Sequence, residues 1–169
     1  MTIYFTRRGT LALFGLALAG AAHAAPPFKA FSDRLACGPV AVSVQSTCAE
    51  GEDDTTLTTC HPQQMTIASA RGTRGVTLPE LTKGQRTSYE KLGGSVSDLF
   101  LTKMGCARAS QAEYVLFYYS IGGGSAPYSE LWLAYDKNGA LVEDKDFPKG
   151  LTGSADFNKM QRVRSIMPR

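Results

Sequence analysis

The sequence predicts an α+β chain: an antiparallel β-sheet with a C-terminal β-meander over residues 113–142, two or three short helices packed on it, and two disulfides. A mostly β sandwich or partial barrel is the alternative arrangement. Three observations carry this expectation. Residues 112–121, Ala-Glu-Tyr-Val-Leu-Phe-Tyr-Tyr-Ser-Ile, are apolar or aromatic apart from Glu113 and Ser120. Side chains alternate along a strand, so Tyr114, Leu116 and Tyr118 face one way while Val115, Phe117, Tyr119 and Ile121 face the other, and both faces need cover. Such a run, closed by Gly122-Gly123-Gly124, fits a central strand better than a helix. Second, Leu131-Trp132-Leu133-Ala134-Tyr135 leads through Asn138-Gly139 into Ala140-Leu141-Val142. Asn-Gly is a strong hairpin signal, because both central residues of a type I′ turn take positive φ. Third, four cysteines stand in a chain that begins like an exported one.

The start of the chain sets the expected compartment. Arg7 and Arg8 precede an apolar and small-residue run over residues 11–18, and Ala22-His23-Ala24 is an A-x-A cleavage pattern, so residues 1–24 read as a signal peptide. The run is far shorter than the ~20 residues that span a bilayer. The twin arginines also touch the pattern of a receptor-read export signal, so the export route stays open. Residues 25–169 are expected to form one globular domain, periplasmic or secreted in a bacterium, with no membrane anchor after cleavage. Removing the leader reduces Lys and Arg from 18 to 16 against 15 Asp and Glu, a net charge near +1. A nearly neutral chain has no global attraction to nucleic acid or anionic lipid.

The elements are expected in the following order. Phe31 and Leu35, four apart, suggest a short helix over residues 28–36. Val40, Val42 and Val44 alternate with small residues and start a strand reaching Cys48. After the acidic segment, residues 55–60 are Thr-rich and return as a strand. A further strand over residues 65–70 turns at Gly72 and Gly75 into Val76-Thr77-Leu78, which Pro79 ends. Val96, Leu99, Phe100 and Met104 sit at helical spacing, with Ser95 or Ser97 as cap and Gly105 where a left-handed end residue is wanted, although residues 99–103 also alternate as a strand would. Residues 154–164 close the chain as a helix whose Asp156, Arg162 and Arg164 complement the helix dipole.

Three pairings of the four cysteines are possible, and Cys48–Cys60 with Cys37–Cys106 is favoured. A strand between Cys37 and Cys48 would hold them roughly 25 to 35 Å apart at ~3.3 Å per residue, and a disulfide needs Cα atoms within ~7 Å. The polar, acidic turn around Asp54 instead brings Cys48 opposite Cys60, leaving Cys37 for Cys106. A zinc site would need close cysteine pairs, and none occur.

No motif assigns chemistry. Asp136-Lys137-Asn138-Gly139 places its glycine too early for a calcium loop. Ser88-Tyr89-Glu90-Lys91 matches S-x-x-K without its companion elements. After the leader, His61 is the sole histidine, and it stands beside a cysteine expected to be oxidised. No cofactor and no metal are expected, and no catalytic residue is assigned. The expected function is therefore binding: an inhibitor-type protein, for instance one neutralising a cell-wall hydrolase or an incoming toxin, with a protein partner of basic character. Glu50, Glu52, Asp53 and Asp54 are the first candidate contact, because they concentrate negative charge in a segment whose base two cysteines can hold. Tyr128 and Glu130, beside the glycine-rich loop, are the second. A secreted hydrolase using paired carboxylates is the alternative, since such pairing is spatial. The sequence leaves the oligomeric state open.

Overall fold

A computed structural model of the chain describes residues 28–49, 60–109, 111–121, 124–154 and 159–163. The expected signal peptide, residues 1–24, and the acidic candidates Glu50, Glu52, Asp53 and Asp54 lie outside the described residues. Two antiparallel sheets of four strands each face one another. The first holds β1 (Phe28–Cys37), β2 (Val40–Ala49), β3 (Cys60–Ser69) and β4 (Gly72–Thr77) in that order. The second has the order β7-β6-β5-β8, from β5 (Phe100–Ala109), β6 (Ala112–Ser120), β7 (Glu130–Tyr135) and the short β8 (Gln161–Arg162). One nine-residue helix, α1 (Lys83–Lys91), and a single turn, α2 (Leu151–Ser154), accompany them.

Alternation explains the core. Val40, Val42 and Val44 of β2 and Met65 and Ile67 of β3 point inward and meet Leu101, Met104, Val115, Phe117, Tyr119, Leu133 and Tyr135 from the second sheet. Each fully buried side chain of this size stabilises the fold by about 1.5 to 3 kcal/mol. The residues between them on β6 and β7 point to the other face of the second sheet. There Leu116 and Ala134 pack with Leu151 of α2 and with Phe147 and Trp132. The second sheet is thus the one covered on both sides, as the apolar run of residues 112–121 requires.

A buried amide ties the two sheets together. The Leu101 N–H donates to Gln63 Oε1 at 2.9 Å, and Gln63 Nε2 donates to the Leu101 carbonyl at 3.1 Å and to Ser46 Oγ at 3.3 Å. Two disulfides complete the frame: Cys37 with Cys106, between the sheets, and Cys48 with Cys60, across neighbouring strands of one sheet.

Several expectations need correction. Residues 28–36 form strand β1, not a helix. Phe31 and Leu35 also share a strand face, and ten consecutive pairings with β2 outweigh the four-residue spacing. The expected helix after Ser95 shrinks to a 3₁₀ turn, Val96–Asp98, followed by β5, which pairs with both β6 and β8. Gly105 therefore ends no helix. It lies within β5, where a Cβ would stand 2.7 Å from Met160 Cγ. Of the expected closing helix, residues 155–158 and 164 lie outside the described residues, and Gln161–Arg162 form β8. The meander's third strand is reduced to one bridge, Tyr135 with Leu141, and a bond from the Val142 N–H to the Ala134 carbonyl. The Asn138-Gly139 turn is also not type I′. Gly139 takes φ 73°, whereas Gln111 is the described non-glycine residue with positive φ, so a left-handed glycine follows an ordinary turn. Helix α1 was not expected at all.

Candidate functional site

The outer face of the second sheet is the best-formed site. On β6 and β7, Tyr118 stands directly across from Trp132 and Ser120 across from Glu130. The Tyr118 and Trp132 rings meet at 4.8 Å between centroids, tilted by 50°. Burial first, and then the Glu130 carboxylate on the diagonal as acceptor for the hydroxyl, push the Tyr118 phenol up to about 12, against a smaller opposing contribution from Ser120. Glu130 is exposed, while the two rings are half-buried. The arrangement is a carboxylate fixed by a phenol at the edge of an aromatic platform. Such a corner presents an acceptor without the ordering cost of a free side chain.

The loop leading into this corner is tied by hydrogen bonds over its described part. Ser129 Oγ donates toward the carbonyls of Ala126 and Gly124, at 2.8 and 3.0 Å. The Ser129 N–H donates to the Ala126 carbonyl and the Ile121 N–H to the Ser129 carbonyl. Tyr89 of α1 donates its hydroxyl to the Tyr128 carbonyl at 2.7 Å. Tyr128 and Glu130, expected together, are thereby separated. Tyr128 packs toward the core and α1, beside Gly93 and Gly94, and Glu130 faces outward.

The first candidate, the acidic segment, lies outside the described residues, but its base is visible. Cys48 and Cys60 are bonded and fully buried, and they pair across β2 and β3. Gln63, three residues further, bonds Leu101, which pairs with Tyr119, one residue before the Ser120–Glu130 pair. The ends of β2 and β3 at Cys48 and Cys60 and the Glu130 corner therefore occupy the same end of the two sheets.

At the opposite end lies a cleft of about 590 Å³ that sequence reasoning missed. Arg108, Gln111, Glu113, Tyr114, Asp136 and Lys137 line it. Arg108 pairs with Glu113 across the β5–β6 turn. Asp136 accepts from the backbone N–H groups of Asn138 and Ala140, at 2.8 and 2.9 Å, and so serves its own turn. Both carboxylates are committed. The readable signal was the β5–β6 pairing itself, which sets Arg108 opposite Glu113 next to the Ala109–Ala112 pair.

Among the described residues no group of three or more His, Cys, Asp or Glu side chains could hold a metal ion. No described helix is long and apolar enough to cross a membrane. Comparison with protein families, with curated proteins and with solved structures finds no match.

Proposed function

We propose that this is an exported binding or inhibitor-type protein that engages a protein partner through the end of the sandwich carrying the acidic β2–β3 hairpin and the Glu130 corner. The observation that carries the reading is the fixed corner itself: a carboxylate held by Tyr118 beside the Trp132 ring, on a rigid sheet. Aromatic anchors flanked by polar groups are the usual energetic centres of protein interfaces. The charge of Glu50, Glu52, Asp53 and Asp54, together with Glu130, favours a basic partner such as a cell-wall hydrolase or an incoming toxin. Residues 1–24 would deliver the chain to the periplasm or beyond, where the two disulfides persist.

The test begins with the mature, disulfide-intact protein immobilised against an extract of the organism's envelope. A stoichiometric protein partner is expected. Its affinity should fall at least tenfold on Trp132→Ala and on Glu130→Gln, and its association rate should drop as salt screens the hairpin. An unchanged affinity in both variants overturns the assignment of the corner.

A second reading has one observation behind it, since Glu113 and Asp136 line the same cleft and are both carboxylates. A hydrolase would need one of them free to accept or donate a proton, and each is already engaged. Turnover of peptidoglycan or oligosaccharides by the pure protein, lost in Glu113→Gln or Asp136→Asn, would establish hydrolysis in place of binding.

A further inference from the structure

We infer that β1 is a self-complementary edge through which two copies of this chain associate, joining their first sheets across a two-fold axis. The inference does not depend on the binding function proposed above. Strand β1 is the outermost of its sheet, and all ten of its residues pair with β2. Among the described residues no other strand pairs with it. Edge strands are commonly kept short, proline-broken, bulged or charged to prevent pairing, and β1 carries charges of both signs, Lys29, Asp33 and Arg34, which oppose a like-charged register and favour a complementary one. This one is ten residues long, with no proline and with an unbroken register. Phe28, at 63% exposure, stands at its start. Its C-terminal end is bonded to the second sheet through Cys37–Cys106, so the edge considered for pairing is the N-terminal part, from Phe28 to Arg34.

Geometry restricts the register. In an antiparallel pair, residues directly opposite point to the same face. A two-fold axis perpendicular to the sheet must then set one residue opposite its own copy. Centring on Ser32 places Phe31 opposite Asp33 and Ala30 opposite Arg34. Centring on Asp33 sets two carboxylates face to face. Centring on Phe31 satisfies every position at once. Phe31 meets Phe31, Lys29 meets Asp33 twice, Ala30 meets Ser32, and Phe28 meets Arg34 twice. The aromatic pair and the two ion pairs fall on the face that continues the core side of the sheet, where Leu35 and Cys37 also point. The Phe28 and Arg34 contacts fall on the outer face and suit a guanidinium over a ring. Cross-strand aromatic and opposite-charge pairs each favour association, and like charges directly opposite oppose it.

Lys29, Phe31 and Asp33 each make contacts within their own chain as well. The experiment therefore reads restoration, not loss alone. Sedimentation of the mature protein over a range of concentrations should show a monomer–dimer equilibrium. Lys29→Asp alone and Asp33→Lys alone each create two like-charge pairs and should weaken the dimer at least tenfold. The double exchange, Lys29→Asp with Asp33→Lys, should restore it. A second measurement needs no variant: amide exchange over residues 28–34 of the wild-type protein should slow as concentration rises. A wild type that stays monomeric with exchange independent of concentration overturns the proposal. So does a dimer that survives both single substitutions, or one that the double exchange fails to rescue.

Discussion

Tyr119 and Tyr135 are the largest fully buried side chains, and their hydroxyls lack a hydrogen-bond partner among the described residues. Both phenols are held well above their ordinary range, chiefly by burial, with the Glu80 carboxylate adding to it. Glu80 itself is held by Arg74, whose guanidinium lies over the Tyr135 ring at 5.9 Å. An unpaired buried hydroxyl contributes nothing favourable, and exchanging it for hydrogen keeps the shape. Tyr119→Phe should therefore unfold in urea within about 0.5 kcal/mol of wild type, or above it. A loss beyond about 1 kcal/mol would mean that the Tyr119 hydroxyl is hydrogen-bonded. Phe117→Ala, at a fully buried site between these rings, should instead lose about 3 to 5 kcal/mol. A loss under about 1 kcal/mol would place Phe117 outside the core. The phenols also set a pH dependence. Tyr89, Tyr118, Tyr119 and Tyr135 all have pKa values raised on folding, so the folded state keeps protons that the unfolded chain releases. Their contribution is complete below about pH 10 and is lost as pH rises above it. Absorbance titration at alkaline pH should show a late class of tyrosines that ionise together with unfolding, and early ionisation of every tyrosine would contradict this.

Helix α1 shows how an element can hide from an apolar count. Its two buried residues are Gln85 and Tyr89, so no apolar stripe marks it. Its signal is instead a capping box, Thr82-Lys83-Gly84-Gln85, in which Thr82 Oγ accepts from the Gln85 N–H at 3.2 Å and Gln85 Oε1 accepts from the Thr82 N–H at 3.0 Å. Gln85 Nε2 also donates to the Val142 carbonyl, tying the helix to the strand-like end of the last hairpin. Thr82→Ala should lower stability by about 0.5 to 2 kcal/mol. Gln85→Ala should lower it further, because it also strips a partner from Val142. Thermal unfolding of both variants checks the order, and equal losses would deny the second bond its role. Strands β1 and β5 carry helix-like spacing for a related reason. Four-residue spacing is compatible with both a helix and a strand in a short segment, and only pairing with β2 or β6 decides between them.

At the scale of the whole molecule the two disulfides act differently. Cys37–Cys106 spans 69 residues and binds β1 of one sheet to β5 of the other. Cys48–Cys60 spans 12 and clamps a single hairpin. In the chain-entropy description, loops of these lengths stabilise by about 4 and about 3 kcal/mol respectively. Replacing the first pair with alanine should therefore lower the urea midpoint more than replacing the second. The reverse order would mean that the hairpin clamp carries more than loop closure. Peptide mapping of the oxidised protein should recover both linked pairs and no free thiol.

The sequence by itself determined the strand of residues 112–120, the placement of a turn at Asn138-Gly139 and the Cys48–Cys60 clamp, because each rests on neighbours close along the chain, and it favoured Cys37–Cys106 only as the pair left over. It also carried Glu130 as a candidate, through its position at a strand start beside a glycine-rich loop. Tertiary structure alone decided that Tyr128 and Glu130 part company, that Tyr118 and Trp132 flank the latter, and that Arg108, Glu113, Asp136 and Lys137 share a cleft. Those arrangements depend on which face each strand turns to the other sheet and on the register between strands far apart in sequence. A one-residue change in either would send each of these side chains to the opposite side.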